Sequence, residues 1–244
     1  MIYRKMLTFV AALAVLFATT TATFATGSEK LISDKKNAPI LTPLNIAILI
    51  QDDLISQVGN ELNLTRDFIR SLPAGSRVMI GYVTTGSLQV RQPFTTDLDA
   101  AARSLRLPLA SQTASPYNPY VEVIDALRKF DTGWKGTNAV LLISDGLDIS
   151  HGFDSTAAGN TLDLHRAIKH ANDRNVAIYS FYAPSVGLTS RSRLAASYGQ
   201  SSLNRLGSET GGKAFFQGAT GFVSFDSHFR RLREALNAQY AMAD

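Results

Sequence analysis

A short apolar stretch that ends in Ser-Asp-Gly lies at residues 139–146 and has the sequence AVLLISDG. Apolar residues in direct succession, without alternation, are typical of a β-strand that is buried on both faces of a sheet. Similar runs are NIAILI at 45–50, RVMIGYVT at 77–84 and VAIYSFY at 176–182. The sequence therefore contains several strands that only a sheet covered on both sides can bury.

Segments with apolar residues at helical spacing alternate with these strands. We predict helices over 58–72, 97–105, 121–130, 162–171, 203–210 and 227–240, and further strands at 87–93 and 213–217. This alternation indicates an α/β fold, a doubly wound and mostly parallel sheet with helices on both faces, as in a Rossmann-like three-layer sandwich. In such sheets ligands bind beyond the carboxyl ends of the strands, where the loops gather.

The N-terminus has the order of a secretory signal peptide, with Arg4 and Lys5 before an apolar run and small residues up to Ala25. The apolar run is shorter than the roughly 20 residues of a membrane-spanning helix, so we expect cleavage and export to the periplasm or the extracellular space. A membrane anchor formed by an uncleaved N-terminal segment is the alternative. The predicted organisation is a signal peptide over 1–25, a linker or irregular lead-in over 26–43, one domain over 44–240 and a tail over 241–244.

The composition excludes several properties. Because the chain has no cysteine, it has neither disulfides nor a lipid-modified cysteine, and an exported domain of this size must be held together by packing alone. The net charge of +4 over 244 residues is too small to predict a nucleic-acid partner.

Three loops at the predicted carboxyl edge carry side-chain oxygens. Asp52 and Asp53 follow the first strand, a loop rich in Ser, Thr and Asn spans 111–119, and Asp145 ends the central strand. With the order of the elements, this resembles the von Willebrand factor A (VWA) domain over 44–240, and the stretch 206–212 resembles an exported bacterial branch of that family. The resemblance implies a protein-binding or adhesion module.

The resemblance also implies a metal-ion-dependent adhesion site, formed by Asp-x-Ser-x-Ser after the first strand, a Thr of the second loop and the Asp of the third. Hard cations such as Mg²⁺ prefer these oxygen ligands. If Asp52 takes the first position, Ser56 falls on the last serine, but Leu54 falls on the middle one and offers no side-chain oxygen. A start at Asp53 fits worse. The expected ligands of this degenerate site are Asp52, Ser56 and Asp145, with Thr113 or Asn118 from the second loop.

Two outcomes for the cofactor stay open at this point. The site binds Mg²⁺ or Mn²⁺, or the lost hydroxyl has removed metal binding altogether. The same aspartates also have a purely structural explanation, because Asp52 and Asp53 can cap the following turn and Asp145 can form a turn with Gly146.

Contacts to a partner are expected around the same edge. Asp53 and Asp148 belong to the acidic loops, and the polar, basic segment 184–200, which we predict to be an unusually long loop, carries Arg191 and Arg193. Such a loop can contact an acidic partner.

The sequence contains none of the motifs Gly-x-Gly-x-x-Gly, Gly-x-Ser-x-Gly and His-Glu-x-x-His. We therefore expect a non-enzymatic module that binds a protein partner, without nucleic acid and, if the signal is cleaved, without a stable membrane span. A structural component of an envelope assembly without a ligand site is the alternative, and an uncharacterised hydrolase is a second one.

Overall fold

A computed structural model describes the protein at residues 39–116, 118–131, 133–134, 136–153, 161–217 and 223–241. The predicted signal peptide, most of the predicted linker and residues 242–244 of the predicted tail lie outside these ranges. No helix within the ranges is long and apolar enough to cross a membrane.

Six strands in the described residues form one sheet, and they are β1 Leu44–Gln51, β2 Arg77–Thr84, β3 Ser87–Thr95, β4 Thr137–Ser144, β5 Val176–Tyr182 and β6 Lys213–Phe215. Their order across the sheet is β3-β2-β1-β4-β5-β6. Every neighbouring pair is parallel except the hairpin of β2 and β3, which is antiparallel. All eight residues of β1 are buried, which explains why the strand is apolar without alternation.

The helices are α1 Val58–Arg70, α2 Leu98–Ser104, α3 Pro119–Leu127, α4 Leu162–Asp173, α5 Arg193–Ser208 and α6 Asp226–Ala241, with a short 3-10 helix at Gln112–Ala114. Side chains that accept a hydrogen bond from the first helical turn begin four of them, namely Asp97, Asn118, Thr161 and Ser192. The starts of these helices are therefore determined by local sequence.

Alternate residues of β1 point into two separate hydrophobic cores. Ile46, Ile48 and Ile50 pack in one core with α1, α2 and α6. Ala47 and Leu49 pack in the other with α3, α4 and α5. The sheet therefore lies between two helical layers, and the predicted doubly wound α/β fold is confirmed.

The segment 184–200 differs from the predicted long loop. Helix α5 begins at Arg193, so the loop after β5 covers only residues 184–192. Residues 193–202 pack small side chains such as Ala195, Ala196 and Ser202 against the sheet layer, and these small residues lack the large apolar periodicity that signals a helix. The remaining predicted elements are present with shifts of a few residues at their ends.

Candidate functional site

A cavity of about 320 Å³ opens at the carboxyl edge of the sheet, where β1, β4 and β5 end side by side. Both polar and apolar residues line it. The lining residues are Gln51, Thr85, Gln112, Thr113, Ser115, Pro116, Asp145, Leu147, Ile149, Ser185, Gly187 and Leu188. The end of β1, the turn between β2 and β3, the loops after β4 and β5 and the loop before α3 all contribute to this pocket, which we call the carboxyl-edge pocket.

Gln51, the last residue of β1, links the first and third loops at the floor of the pocket. Its Nε2 donates to Oδ1 of Asp53 at 2.7 Å. Its Oε1 accepts from the Ser144 hydroxyl and from the backbone N–H of Asp145. The sequence alone does not indicate this role of Gln51, although the residue stands at the end of a buried strand.

Asp53 is fully buried, and its Oδ2 atom has no hydrogen-bond partner among the described residues. Burial raises the pKa of Asp53 to about 6, and the nearby carboxylate of Asp145 adds to the rise, while the Gln51 and Ser115 side chains oppose it. A buried carboxylate with an oxygen that lacks a partner is costly, so this atom marks a place where a cation would be stabilising.

Asp145 supplies the second buried carboxylate of the pocket. Its Oδ1 accepts the backbone N–H of Leu147 at 3.1 Å, and its Oδ2 accepts the Thr189 hydroxyl at 3.0 Å. Burial raises the pKa of Asp145, and these hydrogen bonds oppose the rise. A carboxylate has about four acceptor positions, so a further ligand can still bind here.

The second loop places hydroxyl groups on the opposite wall. The Thr85 hydroxyl donates to the backbone carbonyl of Ser115 at 2.6 Å, which holds this loop beside the β2–β3 hairpin. Thr113 lines the pocket and its hydroxyl lies 2.9 Å from the hydroxyl of Ser111. Thr113 and Ser115 therefore line the pocket.

Asp52, in contrast, faces away from the pocket. Its two carboxylate oxygens accept from the Arg106 guanidinium at 2.6 and 2.7 Å, and Oδ1 also accepts from the Leu109 N–H. The guanidinium carbon lies 3.9 Å from the ring centroid of Tyr82. The expectation that Asp52 is a metal ligand is therefore not met, because this ion pair already compensates its charge.

Three other expected residues also lie elsewhere. Ser56 is exposed at the start of α1 and does not line the pocket. The Asn118 side chain accepts from the Tyr120 N–H and donates to Asp163, so it caps α3. The Asp148 carboxylate accepts from the N–H and hydroxyl of Ser150 in a local turn. These side chains form local structure instead of lining the pocket.

Arg191 and Arg193 are exposed at the end of the loop 184–192 and at the start of α5. Within the described part of the chain, no hydrogen bond or ion pair of either guanidinium is seen. The loop itself is fixed, because Val186 N–H donates to the Asp53 carbonyl and Ser185 N–H donates to the Thr189 hydroxyl. The two arginines are thus displayed close to the pocket wall.

The contacts change how the adhesion-site pattern fits the chain. The Asp53 side chain lies with that of Gln51, which lines the pocket, while the Asp52 side chain turns to Arg106. In this register Gln51 takes the place of the first aspartate, Asp53 that of the middle serine and Ile55 that of the last serine. In this register the chain offers one carboxylate after β1, that of Asp53, and one after β4, that of Asp145.

The donor set suits a hard divalent cation. No group of three or more His, Cys, Asp or Glu side chains occurs in the described ranges, so a metal here depends on two carboxylates and on hydroxyl oxygens. Asp145 lines the pocket, and Asp53 lies behind its lining, against Gln51 and Ser115, so these two are the carboxylates. Thr113 and Ser115 carry the hydroxyls. Oxygen ligands of this kind, with positions left for water, are what Mg²⁺ and Mn²⁺ prefer.

A mostly parallel sheet between two helical layers, with acidic and hydroxyl-bearing loops at its carboxyl edge, defines a VWA-like fold. Comparison with solved structures agrees with this architecture. BatB from Bacteroides thetaiotaomicron superposes with a TM-score of 0.57 at 15% sequence identity, covering 82% of this chain and 100% of that chain.

Two further structures are similar. An aerotolerance-related membrane protein from Bacteroides fragilis NCTC 9343, with multiple mutations to serines, has a TM-score of 0.54 at 13% identity and covers 80% of this chain and 99% of that chain. The SpRpn10 VWA domain has a TM-score of 0.47 at 10% identity, over 78% of this chain and 94% of that one. No family model and no curated protein matches the sequence. At these identities the likeness concerns the fold.

Proposed function

We propose that the protein is a non-enzymatic binding module of the cell envelope, and that its carboxyl-edge pocket holds Mg²⁺ or Mn²⁺ and binds a protein partner there. The observation that carries the proposal is the buried Oδ2 of Asp53, which has no partner among the described residues and lies near a second buried carboxylate, Asp145. A divalent cation would compensate both charges.

Asp53 and Asp145 would hold the cation, with Thr113 and Ser115 as neutral oxygen ligands. When bound, the cation would accept an acidic group of the partner as a further ligand. The Gln51 amide joins the two acidic residues, because it donates to the Asp53 carboxylate and accepts from the backbone N–H of Asp145. The chain thereby keeps its two acidic groups at a fixed separation before any cation binds.

The proposal of a non-enzymatic protein rests on the chemistry of the pocket walls. The described lining residues include serines and threonines but no histidine, lysine or cysteine, and the sequence has none of the catalytic motifs sought above. Asp145 accepts the Thr189 hydroxyl, but the same hydroxyl also accepts the Ser185 N–H and is therefore part of the loop structure.

The proposed location in the envelope, periplasmic or extracellular, rests on the signal-like residues 1–25. One of the structural neighbours is a membrane protein related to aerotolerance, which agrees with an envelope setting. We propose that the mature protein begins after Ala25, and N-terminal sequencing of the exported protein would test this.

Calorimetric titration of the EDTA-treated protein tests the cation. We expect Mg²⁺ and Mn²⁺ to release or absorb heat and to raise the melting temperature of the parent protein. Asp53→Asn and Asp145→Asn each remove one charged ligand, so we expect each to weaken binding by about tenfold or more. Asp148→Asn is the matched control, because it removes a carboxylate of the third loop that is held in a local turn with Ser150.

Absence of both heat and thermal shift at millimolar metal would remove the cation from the proposal. The remaining function would then be a structural component of an envelope assembly. The dense hydrogen bonding of Gln51, Ser144 and Asp145 favours this second candidate, because it holds the loops together without any ligand.

A further inference from the structure

A second cavity, of about 380 Å³, lies at the amino edge of the sheet. The loop that leads into β4, the start of β4 and the junction between α4 and β5 form its walls. From Asn138 to Ser144 the strand rises about 20 Å, so this cavity is well separated from the carboxyl-edge pocket. We call it the amino-edge pocket, and its volume falls within the roughly 300–1,000 Å³ of sites that bind small molecules.

Three side chains in the walls offer hydrogen-bond donors to the amino-edge pocket. Arg174 is half-buried, and the only hydrogen bond seen for its guanidinium within the described residues is a long one, 3.4 Å to Nδ1 of His170. The Oδ1 atom of Asn138 accepts from Nδ2 of Asn45 at 2.9 Å, which leaves Nδ2 of Asn138 as a donor. The buried Nε1 of Trp134 has no partner in the described part of the chain. Donors of this kind need acceptor oxygens, which a ligand can supply.

Gly136 lies against the indole edge of Trp134. A Cβ atom at residue 136 would lie 2.7 Å from Nε1, so a side chain there would take the space beside the indole N–H. The guanidinium carbon of Arg77 lies 5.6 Å from the centroid of the same indole and 5.5 Å from that of Phe94. These cation–π contacts stabilise the aromatic part of the wall and bring a second positive charge next to the pocket.

The charges of the wall favour an anion over a metal cation. Among the described lining residues, Arg174 is the basic side chain and Asp131 the acidic one. One oxygen of the exposed Asp131 carboxylate accepts the Gly133 N–H at 2.9 Å, which leaves the other oxygen as an acceptor for a hydroxyl. A single carboxylate near two guanidinium groups is a poor site for a divalent cation, whereas a guanidinium binds a carboxylate through two parallel hydrogen bonds.

We propose that the amino-edge pocket binds a small carboxylate that also carries hydroxyl groups, as a sugar acid does. Its carboxylate pairs with Arg174, one hydroxyl donates to Asp131, and another accepts from Asn138. The apolar face of the sugar ring lies against the aromatic side chains of the wall, Phe130 and Trp134. The inference goes beyond the proposed function, because neither this pocket nor this ligand takes part in it.

Fluorescence titration in EDTA tests the inference, because Trp134 is the single tryptophan of the chain and lies in the pocket wall. The probes are D-glucuronate, D-glucose, acetate and glycine. We expect D-glucuronate to change the fluorescence in a saturable way. D-Glucose lacks the carboxylate, acetate lacks the hydroxyls, and glycine carries an ammonium in their place, so we expect each of these to bind at least about tenfold more weakly.

Two variants assign the binding to this pocket. Arg174→Gln should weaken binding of D-glucuronate about tenfold and leave the weak response to D-glucose unchanged, because only the charged probe loses an ion pair. Gly136→Ala should also weaken binding of D-glucuronate, because its methyl group takes the space beside the indole N–H. Arg166→Gln, at an exposed position of α4, is the matched control for the loss of a positive charge. Melting temperatures of the ligand-free variants show whether each is folded.

No response to D-glucuronate, or a response to D-glucose, acetate or glycine at equal affinity, would overturn the inference. An affinity for D-glucuronate that Arg174→Gln leaves unchanged would also overturn it. Binding that requires Mg²⁺ would place the ligand at the carboxyl-edge pocket and count against the inference as well. Because the titration is done in EDTA, its failure leaves the proposed cation site untouched, and failure of the cation site leaves this inference untouched.

Discussion

At the scale of single residues, the buried carboxyl group of Asp53 destabilises the metal-free protein. Its pKa in the folded protein is about 6, above the ordinary value of 3.8, because burial and Asp145 disfavour the charged form. Between pH 3.8 and about 6, Asp53 is protonated in the folded state but ionised in the unfolded state. The free energy of unfolding therefore falls as the pH rises through this window. Above it the cost is about 3 kcal/mol at most.

Asp53→Asn removes this cost while keeping the shape of the side chain. In EDTA at about pH 8 we expect the variant to be more stable than the parent by about 2 kcal/mol, and the gain to vanish near pH 4, where Asp53 is neutral. Urea denaturation at both pH values measures this. Asp99→Asn, at an exposed position, controls for a general effect of net charge. A variant no more stable than the parent in EDTA would contradict the assigned electrostatic cost.

The acidic residues after β1 show where inference from sequence ends. The sequence placed side-chain oxygens at the carboxyl edge and identified Asp145 as a pocket residue. It could not tell which of Gln51, Asp52 and Asp53 faces the pocket, because a shift of one residue reverses the direction of every side chain. The direction of Asp52 is determined by its ion pair with Arg106, which lies 54 positions away along the chain in an irregular segment.

At the scale of elements, α5 fixes the third loop by close contact between backbones. A Cβ atom at Gly199 would overlap the carbonyl oxygen of Asp145, and Gly146, which has a φ of 68°, lies directly opposite. The helix therefore approaches the loop more closely than any side chain would allow. This contact helps to keep the Asp145 backbone, and with it the carboxylate, at the pocket floor.

Gly199→Ala should therefore destabilise the protein. Helix propensity alone would favour alanine by about 1 kcal/mol, but the overlap with the Asp145 backbone forces the helix outward, and we expect a net loss of about 3 kcal/mol. Thermal or urea unfolding measures the change. Ser201→Ala, at an exposed position of the same helix, should stay within about 0.5 kcal/mol of the parent. A stabilised Gly199→Ala would show that the contact is looser than the structure has it.

The same close packing explains why the start of α5 was not predicted. The central strands were found because each is a continuous apolar run, and most helices because large apolar residues recur every three or four positions. The buried face of α5 begins with Ala195, Ala196, Gly199 and Ser202, which are small so that the helix can approach the sheet. Small residues carry no hydrophobic periodicity, so the first half of the helix looked like a polar loop.

At the scale of the whole molecule, the two cores differ in how they respond to acid. In the core that α6 closes, His228 is 2% exposed and packs against the rings of Phe181, Phe215 and Phe225. Burial, and then the charge of Arg231, lower its pKa to about 4. In the other helical layer, burial raises the pKa of Glu122 to about 7. Acidification therefore destabilises the core around His228, which must accept a proton, and relieves the cost of burying the charged form of Glu122.

His228→Phe isolates the first contribution. The unfolded chain binds a proton at His228 near its ordinary pKa of 6.5, whereas the folded chain does so only near 4, so the stability that the neutral ring allows is lost as the pH falls through this window. As the pH falls from 6.5 to 4, the stability of the variant relative to the parent should therefore rise by up to about 3 kcal/mol. The carboxyl groups contribute equally in both proteins, so they cancel in this difference. His151→Gln, at an exposed position, is the control. Urea titrations across the range measure the difference, and one that stays constant with pH would mean that His228 accepts a proton inside the folded core.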